Sequence, residues 1–448
     1  MRYLPHTDAD VRRMLDVIGA ESLDALFASI PAAQRLTGAL DLPPALSERE
    51  LRKHLSALGG APAPQTLVGA GAYLHHVPSL VDHLISRAEW YSAYTPYQPE
   101  VSQGTLQAIF EYQTLITQLT GLEVSNASMY DGATACAEAV LMAQRLTREA
   151  RTRVLVSAGL HPEYRDVLTT YLAATALTVE IVPVDGHGAM DQHALGNLLD
   201  ATVLVVVPQT PNFFGVVEDP APVAKASHQA GALVAVAVPE PVALGLMQAP
   251  GTAGADIVFG EGLGLTGALS FGGPGFGFFA CRRDHMRQMP GRLAGATVDR
   301  RGERGFVLTL STREQHIRRE KATSNICTNQ GLMALAGSIA LSLLGPRGLA
   351  ELARHNLAKA EHAKRRARGA GLRLVYDGPT FNEFLLDIGP DATDRLAKLE
   401  RRGIVGGLDL GRFDPARQGQ VLVCTTELHE RSLIDLVVDG LAGRAQPL

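Results

Sequence analysis

The chain has little charge of either sign for its length of 448 residues. Charged residues make up 19%, the formal net charge is −5, and no long basic run occurs. A protein that binds the nucleic acid backbone needs a concentrated positive face, so nucleic acid is not expected as a partner. Hydrophobic residues make up 46%, which is enough for a sizeable core and argues against a disordered chain.

Cysteine is also scarce, and its spacing excludes two kinds of site. The four cysteines, Cys136, Cys281, Cys327 and Cys424, lie far apart and form no Cys-x-x-Cys pair. This spacing favours reduced thiols in the core of a cytoplasmic protein over a disulfide framework or a structural zinc site.

Long apolar runs are absent as well. The opening residues, MRYLPHTDADVRRML, carry charges and lack the apolar core of a signal peptide. No uncharged apolar run reaches the roughly 18 residues that a membrane-spanning helix needs. The sequence therefore predicts a cytoplasmic protein that does not enter a membrane.

Three regions follow one another along the chain. Residues 1–65 predict a helical arm, because Thr7 precedes a helical repeat of apolar residues and Ser47 with Glu50 has the pattern of a capping box. The breaker GGAPAP (59–64), a predicted linker, lies at the end of this arm. Residues 66–330 predict a large α/β domain, and residues 331–448 predict a small α+β domain.

Six short apolar segments predict the strands of the large domain. They are RVLVSAG (153–159), TVEIVPVD (178–185), ATVLVVVPQT (201–210), ALVAVAVP (232–239), ADIVFG (255–260) and GFGFFACR (275–282). Their almost continuous apolar character is typical of strands covered by helices on both faces of a sheet. Helical patterns between several of them favour a doubly wound, mostly parallel sheet, with ligands at the carboxyl ends of its strands.

Two candidate binding positions lie at the starts of helices. Asp131, Gly132, Ala133 and Thr134 open a strong helix, where free backbone N–H groups suit a phosphate. His161 lies just past a predicted strand, where an imidazole can stack on a flat cofactor ring. The alternatives are that Asp131 only caps its helix and that His161 begins a helix without a ligand.

A stiff loop presents a third candidate set. Two prolines hold a run of polar side chains comprising Tyr94, Tyr97, Gln98, Glu100, Ser102 and Gln103. Loops on a rigid scaffold commonly carry binding residues, although a solvated linker is the alternative. The later segment TREQHIRREKATSNICTNQ (312–330) combines basic residues with Asn325 and Thr328 and can hold a carboxylate or form a solvated, charged helix.

The loop after the strand at 255–258 lacks a nucleophile. The stretch GADIVFGEGLGLTG (254–267) contains no Lys, His, Cys or Ser, although such a loop often presents a reactive side chain to a cofactor. The chain has six lysines, Lys53, Lys225, Lys321, Lys359, Lys364 and Lys398, and none lies in this loop.

These stretches together resemble the first subunit of two-subunit glycine decarboxylases, the P-proteins of the glycine cleavage system. The resemblance is carried by AYTPYQPEVSQG (93–104), FEYQTLI (110–116), LEVSNASMYDGATA (122–135), HPEYR (161–165), PGTAGADIVFGEG (250–262), SFGGPGFGFFA (270–280), MPGRLAGATVD (289–299) and REQHIRREKATSNICTN (313–329). With LPHTDADVRRML near the start and FNEFLL and TELH near the end, the resemblance covers nearly the whole chain.

The resemblance implies a fold, an activity and a set of partners. The fold is fold-type I of the pyridoxal phosphate enzymes, with a mostly parallel seven-stranded sheet. The activity is glycine dehydrogenase (aminomethyl-transferring), in which glycine is decarboxylated and its aminomethyl group passes to the lipoyl arm of the H-protein. A homologous subunit 2 holds pyridoxal 5'-phosphate on its lysine in an α2β2 assembly, and the first subunit has no covalently bound cofactor.

The same resemblance assigns provisional roles. Asp131 to Thr134 and His161 are expected to be remnants of a phosphate cradle and a ring-stacking position. The stiff-loop residues, with Asn325 and Thr328, are expected to reach the partner's active site. Leu263 and Gly264 replace the Gln and Ser usual in the family, and Glu240 replaces an Asp, which weakens any cofactor binding by this chain. The rival interpretations are a purely structural subunit and a standalone pyridoxal phosphate enzyme.

Overall fold

The computed structural model describes residues 5–36, 38–59, 65–92, 94–147, 150–266, 269 and 272–444. The chain divides into two compact units, Met1–Ala63 and Pro64–Leu448. The predicted division near residue 330 lies inside the second unit and stays a prediction.

The first unit contains two α-helices, α1 (Asp8–Ile18) and α2 (Glu48–Leu58). Each begins with a capping box. The hydroxyl of Thr7 accepts the backbone N–H of Asp10, and the hydroxyl of Ser47 accepts that of Glu50. The two carboxylates accept the cap N–H groups in return, each at 2.9 Å. Both predicted helix starts are confirmed; the predicted breaker, apart from Gly59, lies outside the described residues.

The second unit contains ten α-helices and fifteen strands among its described residues. The helices are α3 (Ser79–Ile85), α4 (Gln103–Thr120), α5 (Gly132–Leu146), α6 (Pro162–Leu172), α7 (Gln192–Leu198), α8 (Pro220–Gln229), α9 (Gln315–Arg318), α10 (Gly331–Gly369), α11 (Ala392–Glu400) and α12 (Arg431–Leu441). The strands are β1 (Gln65–Thr66), β2 (Val124–Ser125), β3 (Arg153–Ser157), β4 (Thr178–Val182), β5 (Val203–Val207), β6 (Leu233–Val238), β7 (Ile257–Glu261), β8 (Gly277–Cys281), β9 (Leu293–Val298), β10 (Arg304–Thr309), β11 (Arg373–Leu374), β12 (Glu383–Asp387), β13 (Ile404–Val405), β14 (Leu408–Asp409) and β15 (Gln420–Cys424).

A seven-stranded sheet forms the centre of this unit. Its order is β2-β8-β7-β6-β5-β3-β4. The strands β3 to β7 are parallel to one another, and β8 is antiparallel to both β7 and β2. Apolar clusters cover both faces, and every residue of β5 is buried. The six predicted strands and the mostly parallel seven-stranded sheet are confirmed.

The C-terminal part forms a smaller antiparallel sheet of order β11-β12-β15-β14, packed on α10, α11 and α12. The segment GIVGGLDL (403–410) is divided between β13 and β14. Gly407 has a φ of 147°, and a Cβ there would lie 2.9 Å from the carbonyl oxygen of Leu422. The chain therefore turns at a residue that must be glycine, and β13 pairs with β1 instead.

Helix α10 is long and apolar enough to cross a membrane by length and composition, and it is the one such helix in the described part of the chain. It is interrupted at Gly345, whose φ of 58° and ψ of −179° are not helical, and Pro346 follows. The helix packs against α4 and α12. This length test is therefore weak evidence for a membrane span.

Candidate functional site

The carboxyl end of β7 lies at the start of α5, where Glu261 contacts Gly132. Asp131 precedes α5, His161 follows β3, Glu240 follows β6 and Glu261 ends β7. The side chains of all four form hydrogen bonds within the chain. What this edge of the sheet can bind therefore depends on which groups these side chains already contact.

The start of α5 is occupied by carboxylates of the chain itself. Asp131 caps the helix, because its Oδ1 accepts the backbone N–H of Thr134 at 2.7 Å. Glu261 accepts the N–H of Gly132 at 3.0 Å through Oε2 and that of Leu263 at 2.9 Å through Oε1. Burial raises the pKa of Glu261 to about 7. The half-buried carboxyl group of Glu261 therefore lies where the helix dipole and free N–H groups favour an anion.

Tyr164 packs directly against the same helix start. A Cβ built on Gly132 would lie 1.9 Å from the Tyr164 hydroxyl oxygen, so only glycine fits there. The ring of Tyr164 lies 5.3 Å from that of His161, measured between centroids. The structure thus brings the predicted cradle and the predicted stacking residue together, with a tyrosine between them. Ala133 lies in the first turn of α5.

Both ring nitrogens of His161 form hydrogen bonds within the chain. Its Nδ1 accepts the backbone N–H of Glu163 at 3.1 Å, which caps α6, and its Nε2 donates to the carbonyl of Ala70 at 2.8 Å. Phe213 packs edge-on against it at 4.8 Å between centroids. Burial lowers the pKa of His161, so the neutral imidazole is favoured. The capping alternative therefore describes what both Asp131 and His161 do in this structure.

A second histidine, which the sequence analysis did not single out, lies deeper in the site. His75 Nε2 lies 2.9 Å from Glu240 Oε2, and its Nδ1 lies 2.9 Å from Glu427 Oε2. Burial disfavours the charged ring, but the two carboxylates outweigh it and raise the pKa of His75 to about 10. Asn382 donates to the same Glu240 oxygen at 2.9 Å.

The segment of residues 69–76, which carries His75, is fixed by further buried contacts. The Tyr73 hydroxyl donates to Glu383 Oε2 at 2.6 Å, and the N–H of Ala70 donates to Glu383 Oε1 at 2.6 Å. Burial raises the pKa of Glu383 to about 7. This segment therefore joins the sheet edge to β12 of the smaller sheet.

The loop after β7 has little room for a long side chain. A Cβ built on Gly264 would lie 3.2 Å from His75 Cδ2, and one on Gly262 would lie 2.2 Å from Cζ of Phe276. Pyridoxal phosphate in this fold needs a lysine, and an acidic group commonly pairs with its ring nitrogen. Here the lysine is absent, Glu240 pairs with His75, and Glu261 occupies the helix start. The residues present do not fit the cofactor.

The stiff loop presents two partly exposed tyrosines. Tyr94 is 78% exposed and Tyr97 is 40% exposed, and their rings meet edge-on at 6.4 Å between centroids. The Tyr97 hydroxyl accepts a hydrogen bond from Arg292 Nη2 at 2.6 Å, and its ring packs edge-on against His316 at 5.1 Å. The loop therefore presents two tyrosines, one of which rests on a buried arginine.

The other candidate residues of the stiff loop differ in exposure and in whether their side chains bond to other elements. Gln98 and Glu100 are exposed beside a short 3-10 turn, and Ser102 precedes α4. Gln103 is the first residue of α4, and its amide bonds to the backbone N–H and C=O of Phe306 on β10 at 2.8 and 2.9 Å. Gln103 therefore connects α4 to β10.

Asn325 and Thr328 lie in the segment between α9 and α10. Asn325 is exposed and its Oδ1 accepts from Gln315 at 2.8 Å, while Thr328 is half-buried. Beside them, Cys327 is exposed, which corrects the expectation that all four cysteines are core thiols. No group of three or more His, Cys, Asp or Glu able to hold a metal occurs among the described residues.

Comparisons with known proteins agree with this geometry. The family model described as glycine cleavage system P-protein matches residues 1–441. The chain belongs to the glycine cleavage system P-protein family. It is 56% identical over 441 residues to a probable glycine dehydrogenase (decarboxylating) subunit 1 of Anaeromyxobacter dehalogenans strain 2CP-C, covering 97% of this chain and 98% of the relative. It is 49% identical over 444 residues to the protein of that description in Geobacillus kaustophilus, covering 98% of each.

Solved structures give the same family and the same fold. A crystal structure of glycine decarboxylase (P-protein) in inhibitor-bound form matches with a TM-score of 0.87 and 43% identity, covering 99% of this chain and 100% of that one. Sphingosine-1-phosphate lyase of Burkholderia pseudomallei matches with a TM-score of 0.62 and 16% identity, over 92% and 93% of the two chains. The second likeness shows the fold alone, and the predicted fold-type I architecture is confirmed.

Proposed function

We propose that this chain is the first subunit of a two-subunit glycine decarboxylase and completes an active site that a homologous second subunit provides. Pyridoxal phosphate, attached to the second subunit, supplies the chemistry that makes carbon dioxide a leaving group. This chain supplies residues of the tyrosine loop, residues 94–103. The observation that carries the proposal is the state of the cofactor edge. The loop after β7 has no lysine, and Glu261 already accepts the N–H of Gly132 at the start of α5. Glu240 is likewise paired, with His75.

The tyrosine loop provides a second argument for the proposal. Two aromatic side chains stay exposed on a stiff loop, and aromatic residues are enriched in the cores of protein interfaces. A tyrosine hydroxyl can donate to the carboxylate of glycine, and the rings can exclude water from it. Removing water from a carboxylate favours its loss as neutral carbon dioxide. Gln98, Glu100, Ser102, Asn325 and Thr328 are proposed as further contributors at the rim.

The remaining partners follow from the family. We propose that two copies of this chain and two of the second subunit form an α2β2 assembly in the cytoplasm. The aminomethyl product would pass to the lipoyl arm of the H-protein. A standalone pyridoxal phosphate enzyme is disfavoured because the loop that follows β7 contains no lysine. A purely structural subunit is the alternative that the experiment must separate.

The experiment is reconstitution of the two subunits followed by glycine–bicarbonate exchange with each subunit omitted in turn. Exchange should require both. Tyr97→Phe and Tyr94→Phe should each lower kcat/KM for glycine, by roughly tenfold to a hundredfold where a hydrogen bond to a charged group is lost.

A matched control is Tyr171→Phe, because Tyr171 is 39% exposed, as Tyr97 is, but lies on α6. If both loop variants assemble and keep the turnover of the control, the structural alternative is correct.

A further inference from the structure

Arg292 determines how the Tyr97 hydroxyl can act. Its Nη2 donates to the Tyr97 hydroxyl oxygen at 2.6 Å, and its Cζ lies 5.2 Å from the centroid of the Tyr97 ring. The Arg292 side chain is only 5% exposed, whereas Tyr97 is 40% exposed. A buried cation therefore holds the inner side of a hydroxyl whose ring reaches solvent.

Arg292 is itself anchored by a buried carboxylate. Its Nε lies 2.9 Å from Glu314 Oε2, and the Glu314 side chain is 8% exposed. Arg292 immediately precedes β9, and its carbonyl accepts the N–H of Ala127 at 2.9 Å, while Glu314 immediately precedes α9. The pair thus joins two segments of the second unit, and the guanidinium has little freedom to follow a moving tyrosine.

The ion pair of Arg292 and Glu314 leaves some of its own polar atoms without a hydrogen-bond partner. Within the described residues, Arg292 Nε and Nη1 and both carboxylate oxygens of Glu314 are buried and have no hydrogen-bond partner. The 2.9 Å contact between Arg292 Nε and Glu314 Oε2 is therefore an ion pair without a hydrogen bond. Unsatisfied buried groups destabilise a folded chain.

The chemistry of arginine fixes the direction of the bond to Tyr97. A guanidinium has only donors, so the phenol oxygen must be the acceptor. The phenolic hydrogen is then not used in that bond and is polarised by the positive charge. We propose that Arg292 is a positioning residue that fixes Tyr97 as a hydrogen-bond donor toward a carboxylate, which is the carboxylate of glycine in the completed site. This inference rests on the proposed function.

Lysine cannot replace Arg292 in this role. A single ammonium cannot reproduce the planar fork that reaches Glu314 through Nε and Tyr97 through Nη2. Arg292→Lys keeps the charge and loses the geometry, so it tests orientation rather than electrostatics alone.

The test is a double-variant cycle in the reconstituted pair, with kcat and KM measured by glycine–bicarbonate exchange and assembly followed by size-exclusion chromatography. Arg292→Lys should reduce kcat/KM by roughly tenfold, in the same parameter, kcat or KM, that Tyr97→Phe changes. Combined with Tyr97→Phe, it should add no more than about a further twofold, because the two residues act as one unit.

The matched control is Arg313→Lys. Arg313 is a half-buried arginine of the same region that donates to the backbone carbonyls of Met289 and Gly291. The fold-losses in kcat/KM caused by Arg313→Lys and by Tyr97→Phe should multiply in the double variant, because these two residues are expected to act independently. If the effects of Arg292→Lys and Tyr97→Phe multiply in the same way, the inference is overturned while the proposed function stands.

Two further outcomes are defined. If Arg292→Lys does not assemble, Glu314→Gln loosens the same guanidinium through its anchor, and its effect should also vanish in the Tyr97→Phe background. Multiplying effects there would overturn the inference. If Tyr97→Phe alone leaves the kinetics unchanged while exchange still needs both subunits, Tyr97 is not a donor to substrate and the inference falls with it.

Discussion

The carboxylate of Glu261 lies at the start of helix α5, 3.0 Å from the backbone nitrogen of Gly132. A helix start with free N–H groups binds phosphate because those groups and the helix dipole both favour an anion. In this chain the anion is a side chain from the end of β7. The N–H of Gly132 is therefore already bound within the fold.

This relationship predicts that the isolated chain does not retain pyridoxal phosphate. After incubation with the cofactor and gel filtration, the visible spectrum should have no band from a bound cofactor, and the Tm should be unchanged. Gly264→Lys should not create covalent attachment, because the His75 ring lies against position 264. The second subunit, treated in the same way, is the positive control. A saturable rise in Tm of the unmodified chain would contradict this prediction.

The buried His75 predicts how stability depends on pH. The folded-state pKa of about 10 lies above the ordinary value of 6.5, so the contribution of the charged ring is complete below about pH 6.5 and is lost as pH rises toward 10. His75→Gln leaves the buried Glu240 and the half-buried Glu427 without their cation and should cost about 3–5 kcal/mol at pH 6. The difference in Tm between the wild type and His75→Gln should become steadily smaller as the pH rises to 10.

The control for this prediction is His187→Gln. His187 is exposed and pairs with Asp377, so its replacement should change the Tm little at any of these pH values. A gap between wild type and His75→Gln that widened above pH 7 would show that the ring is not held in its charged form.

Local patterns predicted the elements of the sheet because each strand carries its own signal. β5 is Val203–Val207, a run of apolar residues that can be stable only when both faces are covered. The capping boxes at Thr7 and Ser47 are equally local, since the partners are three residues apart. The hairpin β9–β10 was not predicted, because LAGATV and RGFVLT are too mixed in polarity to resemble a strand buried on both faces.

The contents of the site could not be predicted in this way. His75 is 165 residues from Glu240 and 352 from Glu427, and nothing in the sequence around His75 indicates a buried ion pair. Arg292 is likewise 195 residues from Tyr97. The resemblance identified the loop and the missing lysine, but the side chains that fill the site come from long-range packing.

We expect substitutions at Gln103 and at Gln98, both in the tyrosine loop, to differ in their effect on stability. Its amide bonds on both sides to the backbone of Phe306, so Gln103→Ala should lower the free energy of unfolding by about 1–2 kcal/mol through the contact of α4 with β10. KM for glycine in the reconstituted pair should stay close to wild type. Gln98→Ala, in the exposed part of the loop, should leave the Tm unchanged. Urea titration and the exchange assay separate the two effects, and a change in KM without a change in stability would place Gln103 at the substrate instead.

Two glycines with left-handed backbone predict how tightly the turn beside β12 is packed. Gly215 and Gly302 have φ values of 84° and 82°, so alanine at either position pays the same backbone strain, about 1–2 kcal/mol. At Gly302 a Cβ meets nothing within 4 Å, whereas at Gly215 it would lie 2.2 Å from the carbonyl oxygen of Glu383. Gly302→Ala should therefore cost only the strain, and Gly215→Ala about 3–5 kcal/mol, because the overlap is with backbone that cannot move aside.

Glu383 also holds Tyr73 and Ala70, so Gly215→Ala should displace residues 69–76 from the cofactor edge. Hydrogen exchange should then rise at the amide of Ala70, which Glu383 Oε1 accepts, and remain slow in β5, which lies in the centre of the sheet. Equal melting temperatures for the two alanine variants would mean that the turn at 212–216 can move away from β12, and that Glu383 does not depend on it to close the site.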